Sequence, residues 1–139
     1  MKAQFSHLAL IVSDLAVSRA FYLEALAPLG FVEADGKAGS FVRLSNSVDM
    51  VVVLVQVETR FCETGYHRKN VGMHHFALSV GSKEDVDAMA QHVQEIGLSL
   101  QGAGKVETSY RGGYSSFMFE DPDRISIEIV HHQASYFNP

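Results

Sequence analysis

The chain has 139 residues, 47 % of them hydrophobic, and a formal net charge of -5. That supplies one compact core, and the mild acidity excludes a basic nucleic-acid footprint. No apolar run reaches the roughly 18–20 residues of a membrane span. No apolar signal core opens the sequence, and the single cysteine, Cys62, forbids an intrachain disulfide. These features together point to the cytoplasm.

In chain order, Phe5 to Val12 reads as a strand, and Ser13-Asp14 as the cap of a helix over Leu15 to Leu29. Within that helix Leu15, Tyr22, Leu26 and Leu29 form a stripe that Val17, Phe21 and Ala25 widen; Pro28 frays the end and Gly30 stops it. Phe31 to Ala34 is a short strand, Asp35 to Gly39 a turn, and Ser40 to Leu44 and Asp49 to Val57 are strands. The unbroken apolar run from Met50 to Val55 predicts burial on both faces. Glu58 to Gly72 is a polar connector.

The plan then repeats. Gly72 to Val80 is a strand. Ser82 with Asp85 forms a capping box for a helix carrying Val86, Met89, Ala90, Val93 and Ile96, stopped by Gly97. Leu98 to Gln101, resumed as Lys105 to Thr108, is a strand. Tyr110 to Gly113 is a loop. Tyr114 to Glu120 and Arg124 to His131 are the last strands, separated by the turn Asp121-Pro122-Asp123. The predicted architecture is α+β: two paired βαβββ modules enclosing a half-open, barrel-like groove. All 139 residues form one domain, with module one at about 1–57, a connector at about 58–72 and module two at about 73–132. Neither small module is stable alone.

Three residues break the apolar pattern. His7 and His75 each open an apolar strand at matching positions of the repeat, 68 residues apart (75 − 7). Glu128 stands inside Ile125-Ser126-Ile127-Glu128-Ile129-Val130, sharing one face with Ser126 and Val130. A buried carboxylate is costly unless its charge is met. A single histidine at a strand start is ordinarily a polar end residue, but two at equivalent positions with a carboxylate suit a divalent ion such as Fe(II), Mn(II) or Zn(II), with open positions for substrate. The neighbours Ala9, Ala77, Ser79 and Ser126 are small and leave room above such an ion. His74 is expected on the opposite face as a structural residue.

The order His-x-Ala-Leu-x-Val-Ser-Asp-Leu, Ala-Phe-Tyr, Leu-Gly-Phe, a second His-x-Ala-Leu-x-Val, Asp-Pro-Asp and Ile-Glu resembles the glyoxalase/bleomycin-resistance/extradiol-dioxygenase family, the vicinal-oxygen-chelate superfamily, from about His7 to Val130. The resemblance implies paired βαβββ modules and one divalent metal ion (Fe, Mn, Zn or Ni) held by His7, His75 and Glu128. It implies a small-molecule substrate chelated through neighbouring oxygens, by a lyase, an isomerase or a ring-cleaving dioxygenase. A metal-free small-molecule binder or antibiotic-sequestering protein is the alternative. Family members commonly pair modules between chains, so a homodimer is expected.

Three departures qualify the resemblance. The glycine usual after Asp-Pro-Asp is Arg124. Glyoxalase I has a fourth ligand, a glutamate on the last strand of module one, and Met50 to Val55 holds no carboxylate, so glyoxalase I activity proper is not expected. Fosfomycin-inactivating members carry a threonine two residues after the first histidine, where this chain has Ala9.

Tyr110, Arg111 and Tyr114 flank a Gly-rich loop and are the candidate catalytic residues: Tyr can donate to a metal-bound oxygen, and Arg can hold an anion bidentately. Arg60, His67, Arg68 and Lys69 read as a solvated positive face, Cys62 as inert, and His131 and His132 as polar strand ends.

Overall fold

Strand alternation and two capped amphipathic helices build two small α/β layers along the chain. The structure, a computed structural model, describes residues 4–46, 50–101 and 113–132. It divides into two compact units, Met1–Gly65 and Tyr66–Pro139. No described helix is long and apolar enough to cross a membrane.

The first unit contains β1 (Leu8–Val12), α1 (Leu15–Ala25), a 3-10 turn (Ala27–Leu29), β2 (Val32–Lys37), β3 (Phe41–Ser45), β4 (Val51–Gln56) and a second 3-10 turn (Thr59–Phe61). Its sheet runs β1-β4-β3-β2, with β1 parallel to β4 and the other pairs antiparallel. Asp14 caps α1, its Oδ1 accepting from the amides of Ala16 and Val17 at 2.9 and 3.1 Å. The Gln56 side chain ties β4 to this helix start, accepting from Leu15 N and donating to Ser13 O, both at 2.9 Å. Leu15, Ser18, Tyr22, Ala25 and Leu26 are buried, as are Leu10, Val12, Val42, Leu44, Val52 and Leu54 of the sheet.

The second unit contains β5 (His75–Ser79), α2 (Lys83–Glu95), β6 (Tyr114–Glu120) and β7 (Ser126–His132), in the order β5-β7-β6 with β5 parallel to β7. Ser82 caps α2 through Asp85 N at 3.1 Å. Val86, Met89, Ala90 and Val93 are buried, as are Phe117, Phe119, Ile127 and Ile129 of the sheet. Among the described residues the first unit has the full βαβββ plan, and the second a βαββ plan with the Gln101–Met118 bridge beside β6, in two open sheets.

Several expectations are corrected. The strands expected to carry the histidines begin at Leu8, just after His7, and at His75, later than Phe5 and Gly72, and Phe5 is exposed. The first helix ends at Ala25 and gives way to the 3-10 turn, since Pro28 has no amide to extend an α-helical ladder. Val17 points outward, and Ser18 takes its place in the buried stripe. Asp35, Gly36 and Lys37 belong to β2 rather than to a turn. Glycine is needed at position 36 for space: an added Cβ would sit 2.7 Å from the Phe41 carbonyl oxygen across the pair. Only Val52 and Leu54 of the Met50–Val55 run are buried, whereas Val51, Val53 and Val55 are half-buried, so that strand has one core face and one open face. Leu98 to Gln101 contributes a single bridge, Gln101 to Met118. Lys105 to Thr108 lies outside the described residues. The last strand starts at Ser126 because Arg124 has φ +67° and still belongs to the turn.

Candidate metal-binding site

Glu128 sits at the middle of the second sheet, paired with Ala77 on one side and Met118 on the other. The register continues from Met118 to Gln101. His75 pairs with Ser126, so period-two alternation puts His75, Ala77, Ser126, Glu128 and Val130 on one face and Phe76, Leu78, Ile127 and Ile129 on the helix side.

Glu128 is 4 % exposed. Its two oxygens are divided between two partners. Tyr114 Oη donates to Oε1 at 2.7 Å, and His75 Nε2 lies 3.2 Å from Oε2. On its other side, the His75 ring meets His74, the two Nδ1 atoms 2.7 Å apart and the rings edge-on. His74 precedes the strand, so alternation does not carry it to the opposite face. Tyr114 stacks on His132, centroids 6.5 Å apart.

The turn that feeds β7 fixes the height of Glu128 along the strand. Asp121 is buried, and its Oδ1 accepts from Asp123 N and Ile125 N at 2.9 and 2.8 Å, while its carbonyl accepts from Arg124 N at 2.9 Å. This closed loop of bonds is the Asx chemistry expected of Asp-Pro-Asp.

Two further residues meet on this face: Gln101, which the sequence did not single out, and Arg68. Gln101 Oε1 accepts from Arg68 Nη1 at 3.1 Å and from Ser126 Oγ at 3.4 Å. Arg68, expected on a solvated positive face, is half-buried against the sheet edge. The polarity of Gln101 in an apolar strand was the available signal.

His7 lies in the first unit, just before β1, with Ser6 Oγ 3.1 Å from its Nδ1. It lines an open pocket of about 410 Å³ on the first sheet, together with Ser6, Ala34, Asp35, Arg43, Ser45, Val51 and Val53. Arg43 donates to both oxygens of Asp35, through Nε and Nη2. The hydrogen bond to Asp35 and then its charge hold the Arg43 guanidinium above its ordinary pKa, so it stays charged. Val53 pairs with Ala9 and Arg43, and Arg43 pairs with Asp35.

The structure thus brings His75, Glu128 and Tyr114 together in one unit and places His7 in the other. Tyr110 and Arg111 lie outside the described residues. Within neither unit do three His, Cys, Asp or Glu side chains form a metal-holding group among the described residues. The donor pair in the second unit nonetheless fits an ion. Two ligand atoms each about 2.1 Å from one ion and at about a right angle are about 3 Å apart, close to the His75–Glu128 separation of 3.2 Å. A divalent charge there would meet the cost of the buried carboxylate.

Comparison with known proteins agrees with the fold. YqjT of Bacillus subtilis (strain 168), an uncharacterized protein, is 34 % identical over 124 residues, covering 89 % of this chain and 95 % of its own. A crystal structure from Bacillus halodurans, provisionally assigned as a glyoxalase, superposes with a TM-score of 0.81 at 28 % identity, covering 94 % of this chain and 96 % of that one. A mutant of the fosfomycin resistance protein FosX from Listeria monocytogenes, solved with Mn(II) and a dihydroxypropylphosphonic acid, shares the fold with a TM-score of 0.72 at 17 % identity, covering 97 % and 94 %. Lactoylglutathione lyase from Agrobacterium tumefaciens does so with a TM-score of 0.73, also at 17 % identity, covering 99 % and 98 %. The sequence pattern of one family matches residues 4–129, and this establishes that the chain belongs to the glyoxalase/bleomycin resistance protein/dioxygenase superfamily.

Proposed function

We propose that the protein is a metal-dependent small-molecule enzyme, a lyase, isomerase or ring-cleaving dioxygenase. One divalent ion (Fe, Mn, Zn or Ni) is held by His7, His75 and Glu128. The observation that supports this most is the buried Glu128 carboxylate, with His75 Nε2 3.2 Å away. When bound, the ion supplies Lewis acidity to a substrate with neighbouring oxygens. Tyr114 orients the carboxylate by donating to its second oxygen. The strand neighbour of Glu128, Ala77, is small and exposed, whereas Ser126 is buried and donates to Gln101. Tyr110 and Arg111 are the remaining catalytic candidates, as proton donor and anion holder.

Elemental analysis of protein purified without chelator tests this reading. About one transition ion per chain is expected, falling towards background in His7→Ala, His75→Ala and Glu128→Gln. Full occupancy in Glu128→Gln overturns the site. With metal loaded, catechols and 2-oxoaldehyde–thiol adducts are the first substrates to screen.

The second reading is a metal-free binder. It is favoured by the closure of Glu128 on His75 and Tyr114, which already gives both carboxylate oxygens a partner. Absence of metal uptake together with saturable binding of a small organic molecule would select it.

We also propose a cytoplasmic homodimer. Among the described residues β1 and β2 are the edge strands of the first sheet, and sheet edges are ordinarily paired or shielded. Light scattering is expected to give twice 15.3 kDa. In such a dimer, recovered metal binding on mixing His7→Ala with Glu128→Ala chains shows that each site draws on both subunits.

A further inference from the structure

We propose that the pocket on the first sheet binds the oxyanion end of the substrate, a carboxylate or phosphonate, with Arg43 as its anion-binding residue and Asp35 as the residue that positions Arg43. The proposal rests on the functional reading above for its link to chemistry, since His7 lines the same pocket.

The two sheets carry the same row of partners with different chemistry. Across the second sheet the row is Ala77, Glu128, Met118, Gln101; across the first it is Ala9, Val53, Arg43, Asp35. The first sheet has therefore exchanged a buried carboxylate for Val53 and an apolar Met118 for a cation. A charged side chain at mid-strand on an open face is not needed for the core, which lies on the opposite side at Val42, Leu44, Val52 and Leu54.

Geometry then restricts what Arg43 can hold. Asp35 takes Nε and one proton of Nη2, the side edge of the guanidinium. The end edge, Nη1 with the second Nη2 proton, is a separate two-donor fork that matches a carboxylate or phosphonate. The Phe41 ring lies 5.8 Å from the guanidinium carbon and backs it. Asp35 cancels most of the net charge, so recognition comes from directed donors rather than from long-range attraction. The pocket volume of about 410 Å³ suits a small molecule. Val51 and Val53 supply its apolar wall, and among the described residues Arg43 is the one permanent cation lining it.

The test uses the full chain freed of metal by chelator, with malonate and methylphosphonate as probes and malonamide as the neutral control. Backbone amide shifts of Arg43, Ser45, Val51 and Val53 are followed by NMR. Malonate or methylphosphonate is expected to give saturable shifts there, weakened at least about tenfold in Arg43→Met, which copies Met118. Arg43→Lys, which keeps the charge without the fork, is expected to fall between the two. Amides of α1, in the same unit as Arg43, report whether each variant is folded. Equal affinity in wild type and both variants overturns the proposal, as does equal affinity for malonamide, or no saturable shift in wild type. Because no metal is present, anion binding here with no metal uptake elsewhere would defeat the enzyme reading and leave this one standing. Metal uptake without anion binding would do the reverse.

Discussion

Glu128 and Val53 occupy the same register position in the two sheets, each opposite the alanine two residues beyond a first-strand histidine, Ala77 and Ala9. One sheet offers a carboxylate there and the other an aliphatic side chain. A four-ligand site with a glutamate from each module, as in glyoxalase I, therefore has no second carboxylate to draw on in β4. Turnover of the methylglyoxal–glutathione adduct is expected to stay at the uncatalysed rate with Ni(II) or Zn(II) supplied. Efficient turnover measured under those conditions would show the inference wrong.

The Tyr114 hydroxyl is the neutral donor to a buried carboxylate. Tyr114→Phe keeps the ring on His132 and removes the hydroxyl that donates to Glu128. An acceptor left short of a partner costs about 1–3 kcal/mol. Urea unfolding of chelator-treated protein should show a loss of that order. An unchanged midpoint would mean that solvent replaces the hydroxyl.

Arg124 holds φ at +67°, where side chains crowd the backbone and glycine does not. Its ion contact with Glu120 is long, at 3.4 Å, with the Arg side chain 78 % exposed, and contributes little. Arg124→Gly is accordingly expected to stabilise the fold by about 1 kcal/mol, after the greater chain entropy of unfolded glycine is deducted. Thermal melting should rise by a few degrees, and a fall would show that Arg124 makes a contribution beyond its turn.

Tyr66 donates to the Met73 carbonyl at 2.6 Å and so anchors the connector before β5. Burial first, and then the carboxylates of Asp121 and Glu120, raise its phenol pKa, against an opposing pull from Arg68. A raised folded-state value favours the protonated form in the native protein. Its stabilising contribution is therefore complete below about pH 10, the unfolded value, and is lost as pH rises through the folded one. Tyr66→Phe should flatten the alkaline fall in stability, read as urea midpoints at increasing pH. The same slope in both proteins would remove Tyr66 from the cause.

Most of this organisation was legible because two periods were clean. The alternation in β7 and the 3.6 spacing in α2 located their core faces, and the Ser82 and Asp14 caps marked helix starts. The sequence marked His7, His75 and Glu128 as one ligand set; His75 and Glu128 meet in the second unit, and His7 lies in the first. What failed was local context that tertiary packing decides. Gly36 reads as a turn residue, yet it is a strand residue chosen for a close backbone neighbour. Val17 reads as core and faces outward, because the stripe followed Ser18 instead. Arg43 with Asp35, and Arg68 with Gln101, are pairs across strands or loops that no single-strand pattern reveals.

Each sheet joins the first strand of its unit to the last, β1 to β4 and β5 to β7, in parallel. His75 and Glu128 are consequently about 50 residues apart in the chain yet meet side by side. Contacts of such separation carry a large loop-closure cost and slow folding. The donor pair is therefore expected to form late: Tyr114 and Glu128 can meet within the β6–β7 hairpin, but His75 reaches Glu128 only when β5 docks beside β7. A divalent ion added during refolding should leave the folding rate nearly unchanged and act on the unfolding rate, so that a bound ion lengthens the lifetime of the native protein rather than guiding the chain towards it.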